Sequence, residues 1–553
     1  MKKYFLFFFF CLSVQFTAQN LDSLYNKYLN VRGISTSTAV TQVQSDDHEH
    51  DKCSFGLSAQ IRANFYRFSF KDQQVLSTLL NRPVMDTSFI SPKGWFRIHF
   101  NKSNFPDYVP EYIRNDLTPT QLEMYKRTYL DSMAIAADSA YNFEVNILGY
   151  PAPPADNGEG GCDRYDIYIE NLGSSTYGYT DFTVGSAISY MRINNYFSST
   201  YSKRIYGARV TLAHEFHHAI QIVYAWNDND RFYYELSSTA MEEFVFDSIN
   251  DYYQYLPSLM QNPQRSFARN NGYNLALWNI FLKDRYGYNI LKKSWELIKN
   301  GQRALNAVNN SILENNSDFT QEFTLFGQWL FFTGWRAQKD KYFSEAEYYP
   351  LVRPYMIIPF NRPQTSLEVN SEPVSTNYLT FIDKLDTLVA VVSNLDITNG
   401  VNNTSSLAKF NYTLSTNPAD GEDIGNGFYR KLTSSMPSSF AALEIFNNIP
   451  SGNGHVFKEE IDYPFPQPFR YSRNDYLSLP VEKSQSGYAD IYIYSVDMDL
   501  VYSGNLKIYI TNNVTVRWDV FDNQQKKLAT GVYFYVANSD DKIKKGKFVI
   551  YND

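Results

Sequence analysis

Val210-Thr-Leu-Ala-His-Glu-Phe-His-His-Ala-Ile-Gln-Ile-Val-Tyr224 is the stretch on which the reading of this chain turns. It contains no Pro and no Gly, and at about 100° per residue Leu212, Phe216, Ala219 and Val223 fall on one apolar stripe. That periodicity predicts a buried helix. His214 and His218 are four residues apart, so they project from one side of it, one turn apart, nearly opposite the stripe. The five residues His214 to His218 have the form H-E-x-x-H and hold three of the seven histidines in the chain. Two imidazoles at this spacing can reach one zinc ion at about 2.0–2.1 Å. Glu215 stands beside the first histidine, where it can serve a water molecule as general base.

The third ligand separates the known solutions. In the longer metzincin motif a Gly lies three residues past the second histidine and a His lies six past it. Here those positions are Gln221 and Tyr224, so that pattern is absent. A carboxylate from a following helix is the other solution. Tyr234-Glu-Leu-Ser-Ser-Thr-Ala-Met-Glu-Glu-Phe244 is the candidate, with Glu235, Ser238 and Glu242 on one side of a helix. Glu235 is the expected ligand, and Glu242 and Glu243 compete with it because spacing alone does not identify a ligand.

His-Glu-x-x-His followed by Glu235-x-x-Ser238 resembles the gluzincin metallopeptidases, the thermolysin-like clan. More narrowly, Thr211–Gln221 is similar to a group of secreted bacterial metalloprotease-like proteins. That likeness runs from about Trp95 to Gln338 and takes in Phe96-Arg-Ile-His-Phe100, Tyr165-Asp-Ile-Tyr-Ile169 and Tyr177-Gly-Tyr-Thr180. The resemblance implies that His214, His218 and Glu235 hold one Zn2+ and that Glu215 is the base. It also implies a group that stabilises the transition state, for which Tyr273 is a candidate, though with 45 tyrosines in the chain an ordinary packing role is the plainer reading. One position departs from the family. Where thermolysin-like enzymes often carry an Asp that orients a zinc histidine, this chain has Thr239, so that role must fall to another residue such as Glu242.

Working outward, Met1-Lys-Lys3, the apolar run Tyr4–Phe16 and Thr17-Ala-Gln19 read as a secretory signal peptide over residues 1–18. No other run is long and apolar enough to span a bilayer. The two cysteines that remain, Cys53 and Cys162, suggest one disulfide in an exported chain. Two alternatives attach to Asp46-Asp-His-Glu-His-Asp-Lys-Cys53: a polar connector with an unpaired thiol, and a pro-segment whose Cys or His caps the zinc. Asp228-Asn-Asp230 could hold calcium, but its ligand spacing is not diagnostic.

A length of 553 residues calls for two to four domains. A net charge of −8 without a concentrated Lys/Arg stripe excludes a nucleic-acid partner. Residues 19–90 read as a small N-terminal region, a candidate pro-segment, with helical Leu21–Leu29 and Gln73–Leu80. Residues 91–349 read as the metallopeptidase domain. In it Phe96–Phe100, Asp166–Ile169 and Ala187–Ile193 are strands, Pro119–Tyr141 is a helix, and the part after Glu235 is mainly helical through Asn274–Arg285, Ile290–Lys299, Ala304–Glu314 and Phe319–Ala337. A mixed sheet lobe followed by a helical lobe resembles the gluzincin plan. The expected fold class is therefore α+β, a zincin-type domain followed by all-β sandwich modules. Leu379–Ile382 and Thr387–Val392 mark strands of a β-rich domain over 350–463. Residues 464–553 resemble the immunoglobulin-like C-terminal domains of secreted Bacteroidetes proteins, through Pro464–Arg470, Ala489–Tyr494, Trp518-Asp519, Thr530–Tyr535 and Lys544–Lys547. In that family such domains address a protein to the type IX secretion machinery or act as spacers.

The sequence thus supports a secreted or surface zinc endopeptidase acting on protein or peptide substrates. The rival reading is a surface adhesin or binding protein on an inactive peptidase scaffold.

Overall fold

The computed structural model describes residues 21–32, 34, 52–102, 118–173, 176–182, 185–197, 200–338, 340–382, 387–401, 407–436, 439–446, 464–472, 474, 476–482, 487–510, 514–540 and 542–552. The signal-peptide reading of residues 1–18 and the acidic run Asp46–Asp51 lie outside them. The chain forms two compact units, 1–447 and 448–553. Both strands and helices build the first unit, so the α+β class holds. Among the described residues no helix is long and apolar enough to cross a membrane.

The first unit opens with three helices: α1 (residues 21–31), α2 (Phe55–Ala63) and α3 (Phe70–Leu80). Tyr28, Leu57, Ile61, Phe68, Leu76 and Leu80 pack together as a small core of their own. A mixed sheet follows, made of β1 (Thr87–Ile90), β2 (Phe96–Phe100), β3 (Tyr165–Glu170), β4 (Gly178–Phe182) and β5 (Ser189–Asn194) in the order β1-β2-β3-β5-β4. β2, β3 and β5 run parallel, and β4 is an antiparallel edge strand beside β5. All five residues of β4 are buried, which is unusual for an edge and means that other chain covers it.

Helix α4 (Pro119–Tyr141) starts on a capping box between Thr118 and Gln121 with Pro119 in the first turn. It packs against α5 (Ile205–Tyr224), which lies on β4 and β5. α5 carries the H-E-x-x-H motif and is buried, as its periodicity predicts: every residue from Val210 to Ile222 is covered. Leu212, Phe216 and Ile220 lie in the main core, and other segments cover the polar side that carries the histidines. The return helix α6 (Arg231–Val245) packs along it. Helices α7 (Leu256–Gln261), α8 (Ala276–Tyr286), α9 (Asn289–Lys299), α10 (Ala304–Leu313) and α11 (Phe319–Phe331) follow; α8 to α10 lie close to their expected bounds, α11 stops six residues before the expected Ala337, and α7 was not expected.

β6 to β13, between Met356 and Phe446, form two four-stranded sheets. Phe360, Leu379, Phe381, Phe410, Tyr412 and Leu414 fill the space between them, giving a sandwich. The other face of one sheet packs on α11: Tyr378 donates to the Gly327 carbonyl at 2.7 Å, and Val391 and Ile445 join the main core. A sheet buried on both faces explains the unbroken apolar run Leu388–Val392. The boundary expected near residue 350 is therefore not a break between compact units. Nor are residues 52–90 separate, since Phe55 and Ala59 belong to the main core.

The second unit is a seven-stranded sheet of β14 (Phe469–Arg470), β15 (Leu477–Pro480), β16 (Tyr488–Tyr494), β17 (Leu500–Ile510), β18 (Val514–Trp518), β19 (Gly531–Ser539) and β20 (Lys542–Tyr551), in the order β14-β20-β19-β16-β17-β18-β15. Strands from both ends of that order feed one core around Trp518, so the sheet folds over on itself. β17 (Leu500–Ile510) makes the turn, pairing with β16 through its first part and with β18 through Ile508–Ile510.

Candidate metal centre

α5 and α6 bring three donor atoms to one point. His218 Nε2 lies 3.1 Å from His214 Nε2, and Glu235 Oε2 lies 3.2 Å from His214 Nε2 and 3.4 Å from His218 Nε2. Ligands 2.0–2.1 Å from a tetrahedral zinc stand about 3.3–3.4 Å from one another, so this spacing fits such an ion. Both Nδ1 atoms face away and are held. Glu242 Oε1 bonds His214 Nδ1 at 2.7 Å, and Gln221 Oε1 and Ser238 Oγ lie 2.7 and 3.1 Å from His218 Nδ1. Such partners turn each ring so that Nε2 is presented to a metal.

Glu235 is thus the carboxylate at the cluster, and Glu242 is the residue that orients His214. Being one helical turn past Thr239, it does from there what an Asp at 239 would do. Gly272 makes this packing feasible. Its φ is +106°, and a Cβ there would meet the Phe232 carbonyl at 2.3 Å and Glu235 Cβ at 2.7 Å. Glu243, the neighbour of Glu242, points the other way. It lines a cavity of about 190 Å³ with Asp247, Lys283, Tyr252, Tyr349 and Glu345, and takes no part in the cluster.

Charge sets the protonation of the donors. Burial works against a charged His214, but bonds to Glu235 and Glu242 outweigh it and lift its pKa to about 9. Burial likewise works against an ionised Glu235, yet His218 and His214 pull it down to about 2. Glu215 is fully buried, which raises its pKa. Its carboxylate accepts from Thr180 Oγ1 at 3.0 Å, and the same hydroxyl lies 2.7 Å from the Glu215 carbonyl. Gly178 lets β4 settle on the helix here, since a Cβ would stand 2.8 Å from Thr211 Cγ2 and 3.2 Å from Glu215 Cγ. This accounts for Tyr177-Gly-Tyr-Thr180 among the residues carrying the family likeness.

A fourth donor joins the group. The ligand atoms of Cys53, His214, His218 and Glu235 all lie within 4.8 Å of one another, and all four residues are buried. The expected Cys53–Cys162 disulfide is not formed, and both cysteines are free. Cys53 is drawn away from Cys162 by its backbone bridge to Gly178, whereas Cys162 follows a turn at Glu159–Gly161, ahead of β3 and beside Asp166 and Arg97. Lys52, which the sequence reading did not single out, is buried between Glu242 Oε2 at 2.6 Å and Asp251 Oδ2 at 2.8 Å. Tyr273 lies at the site with its ring stacked on His214 at 5.9 Å. Its hydroxyl meets the Cys53 N–H at 3.2 Å and the Cys53 carbonyl at 3.4 Å.

The third histidine of the motif does not join. His217 turns to the opposite side of α5, where Nδ1 lies 2.8 Å from Glu144 Oε2. Burial lowers the His217 pKa and raises that of Glu144, and so favours the neutral form of each. Asp230, offered by the sequence as a calcium ligand, is instead held by Arg303 at 2.8 Å and accepts from the Ala304 N–H.

The signals for the missed residues were weak. Gln221 sits one turn past His218 and so can reach its Nδ1. Lys52 and Cys53 adjoin an acidic, His-containing run, but nothing local says that they return to α5.

No family model matches this sequence, and no curated protein matches it significantly. One solved structure with a local match is PorZ, an essential bacterial surface component of the type-IX secretion system of Porphyromonas gingivalis. It is 18% identical over 32% of this chain and 23% of that chain, with a TM-score of 0.14. So loose an overlap bears neither on fold nor on function.

Proposed function

We propose that this protein is an exported zinc-dependent endopeptidase of the zincin type. The observation that supports this best is the meeting of His214 Nε2, His218 Nε2 and Glu235 Oε2 beside a buried carboxylate, Glu215. A zinc ion bound by these three would polarise the scissile carbonyl and make a water acidic. Glu215 takes that water's proton and returns it to the leaving amine. Its burial raises its affinity for the proton, which suits a group that must hold it between the two steps. Glu242, Gln221 and Ser238 keep the imidazoles in place. Tyr273, whose hydroxyl already bonds a peptide group at the site, is the residue for the reacting carbonyl. The basic, apolar start of the chain and its C-terminal β unit, read as a secretion address, support export to the cell surface or beyond.

Elemental analysis of purified protein, wild type beside Glu235→Ala, is the first test. One zinc per chain in the wild type, lost in the variant, is the expected result, together with peptidase activity on processed protein that Glu215→Gln removes. Peptidase activity unchanged in Glu215→Gln would sink the mechanism. Zinc at full occupancy with every processed form inert would leave the binding-protein reading.

A further inference from the structure

The edge of the sheet beside the metal cluster is occupied by the chain itself. β4 pairs with β5 on one side only. Its other side is met by Cys53, which bridges Gly178 in parallel, while the Tyr177 N–H donates to the Lys52 carbonyl at 3.0 Å. A free sheet edge at a cleft is where an extended peptide is captured. Here Lys52-Cys53-Ser54 takes that edge, and Tyr273 bonds the Cys53 peptide group.

The side chain goes where the chemistry would happen. The Cys53 sulfur is a fourth donor of the cluster. It accepts the Phe55 N–H at 3.3 Å, which fixes its direction. A catalytic zinc keeps one position for water, and a set of four protein ligands closes it. On the peptidase reading above, we infer that Lys52–Ser54 is a built-in inhibitor: Cys53 is the fourth metal ligand, it takes the place of the reacting water at Glu215, and the chain is latent until this segment withdraws. In forming the sulfur–metal bond Cys53 loses its S–H bond, and the proton is released to solvent.

The segment is seated by charge and by packing. Lys52 is held between Glu242 and Asp251, and the Phe55 ring stacks on His218 at 4.0 Å. Farther along, Arg62 pairs with Asp181, and Arg82 with Asp156 and Asp166. The N-terminal helices thus set basic side chains on acidic ones of the sheet and keep their own small core. They join β1 through an irregular link in which Val84 is 95% exposed and open to a protease. Cutting there would free the segment as one piece.

X-ray absorption at the zinc edge, read beside protein cleavage, tests this on the full zinc-loaded chain. Wild type and Cys162→Ala should both show one sulfur at about 2.3 Å among lighter ligands. Cys53→Ala should keep one zinc per chain, lose the sulfur, and cleave casein faster by about tenfold or more. Zinc without sulfur in the wild type overturns the inference and leaves the zinc peptidase reading intact. Sulfur in the wild type, with a zinc-loaded Cys53→Ala no more active than it, overturns latency. No zinc in the reconstituted wild type overturns both readings. Cys53→Ser, closer in volume, replaces Cys53→Ala if circular dichroism shows that variant unfolded.

Discussion

The helix pair α5–α6 has two sides that use the same residue types for opposite ends. On the side toward β4, His214 and His218 meet Glu235 and Glu242, and the charged forms of His214 and Glu235 are favoured, with His214 lifted to about 9 and Glu235 lowered to about 2. On the other side His217 meets Glu144, and burial favours the neutral form of each. Glu243, one residue from Glu242, is likewise pushed up to about 9 by burial and by Glu345 and Asp247. All of these groups are buried or nearly so. What separates the two sides is the number of opposite charges within reach, because a buried group without one gives up its charge.

Breaking the charged side should have the larger effects. Glu215→Gln is expected to lower casein cleavage by processed protein roughly 10²–10⁴-fold while zinc content stays at one per chain. Glu242→Gln should weaken zinc binding by about 10–100-fold, measured by competition with a chelator, since His214 loses its anchor. Glu243→Gln should leave zinc affinity untouched, and an equal loss in both variants would erase the distinction between these neighbours. On the neutral side, Glu144→Leu leaves His217 without its partner at a cost of roughly 1–3 kcal/mol in denaturant unfolding, with zinc content unaltered.

The smallest effect sharpens the comparison through pH. Folded Glu243 holds its proton up to about pH 9, whereas its ordinary value is 4.5. Between those values the unfolded chain has released the proton and the folded chain has not. The stabilisation is therefore full below pH 4.5 and is lost as pH rises to 9. Glu243→Gln, which does not titrate, should match the wild type in melting temperature near pH 4.5 and exceed it by a few degrees near pH 9. A difference that stays flat across that range would show that Glu243 is ionised after all.

Much of this was legible along the chain. Helical periodicity located α4, α5 and α8 to α11, because an apolar stripe at 3.6 residues needs only local sequence. The i, i+4 histidines and the acidic helix after them named three of the four clustered donors. α2 was not legible: Phe55–Ala63 mixes Phe, Ser, Gln and Arg, and its burial comes from β4 and from the small N-terminal core. The disulfide reading failed for a related reason. Two cysteines in an exported chain suggest a pair, but only a long-range bridge to Gly178 shows where Cys53 goes.

By itself, then, the sequence determined which side chains share a helix side, roughly where three of the five strands of the sheet lie, and which residues could bind a metal, since all of these follow from spacing. The tertiary structure alone decided that Glu235 and not Glu243 faces the histidines, that His217 turns away from them, and that Cys53 arrives beside them. The rotation of α6 against α5 and the path of Lys52–Ser54 along β4 are set by packing between segments up to 220 residues apart, as for Cys53 and Tyr273, and no local pattern encodes such a contact.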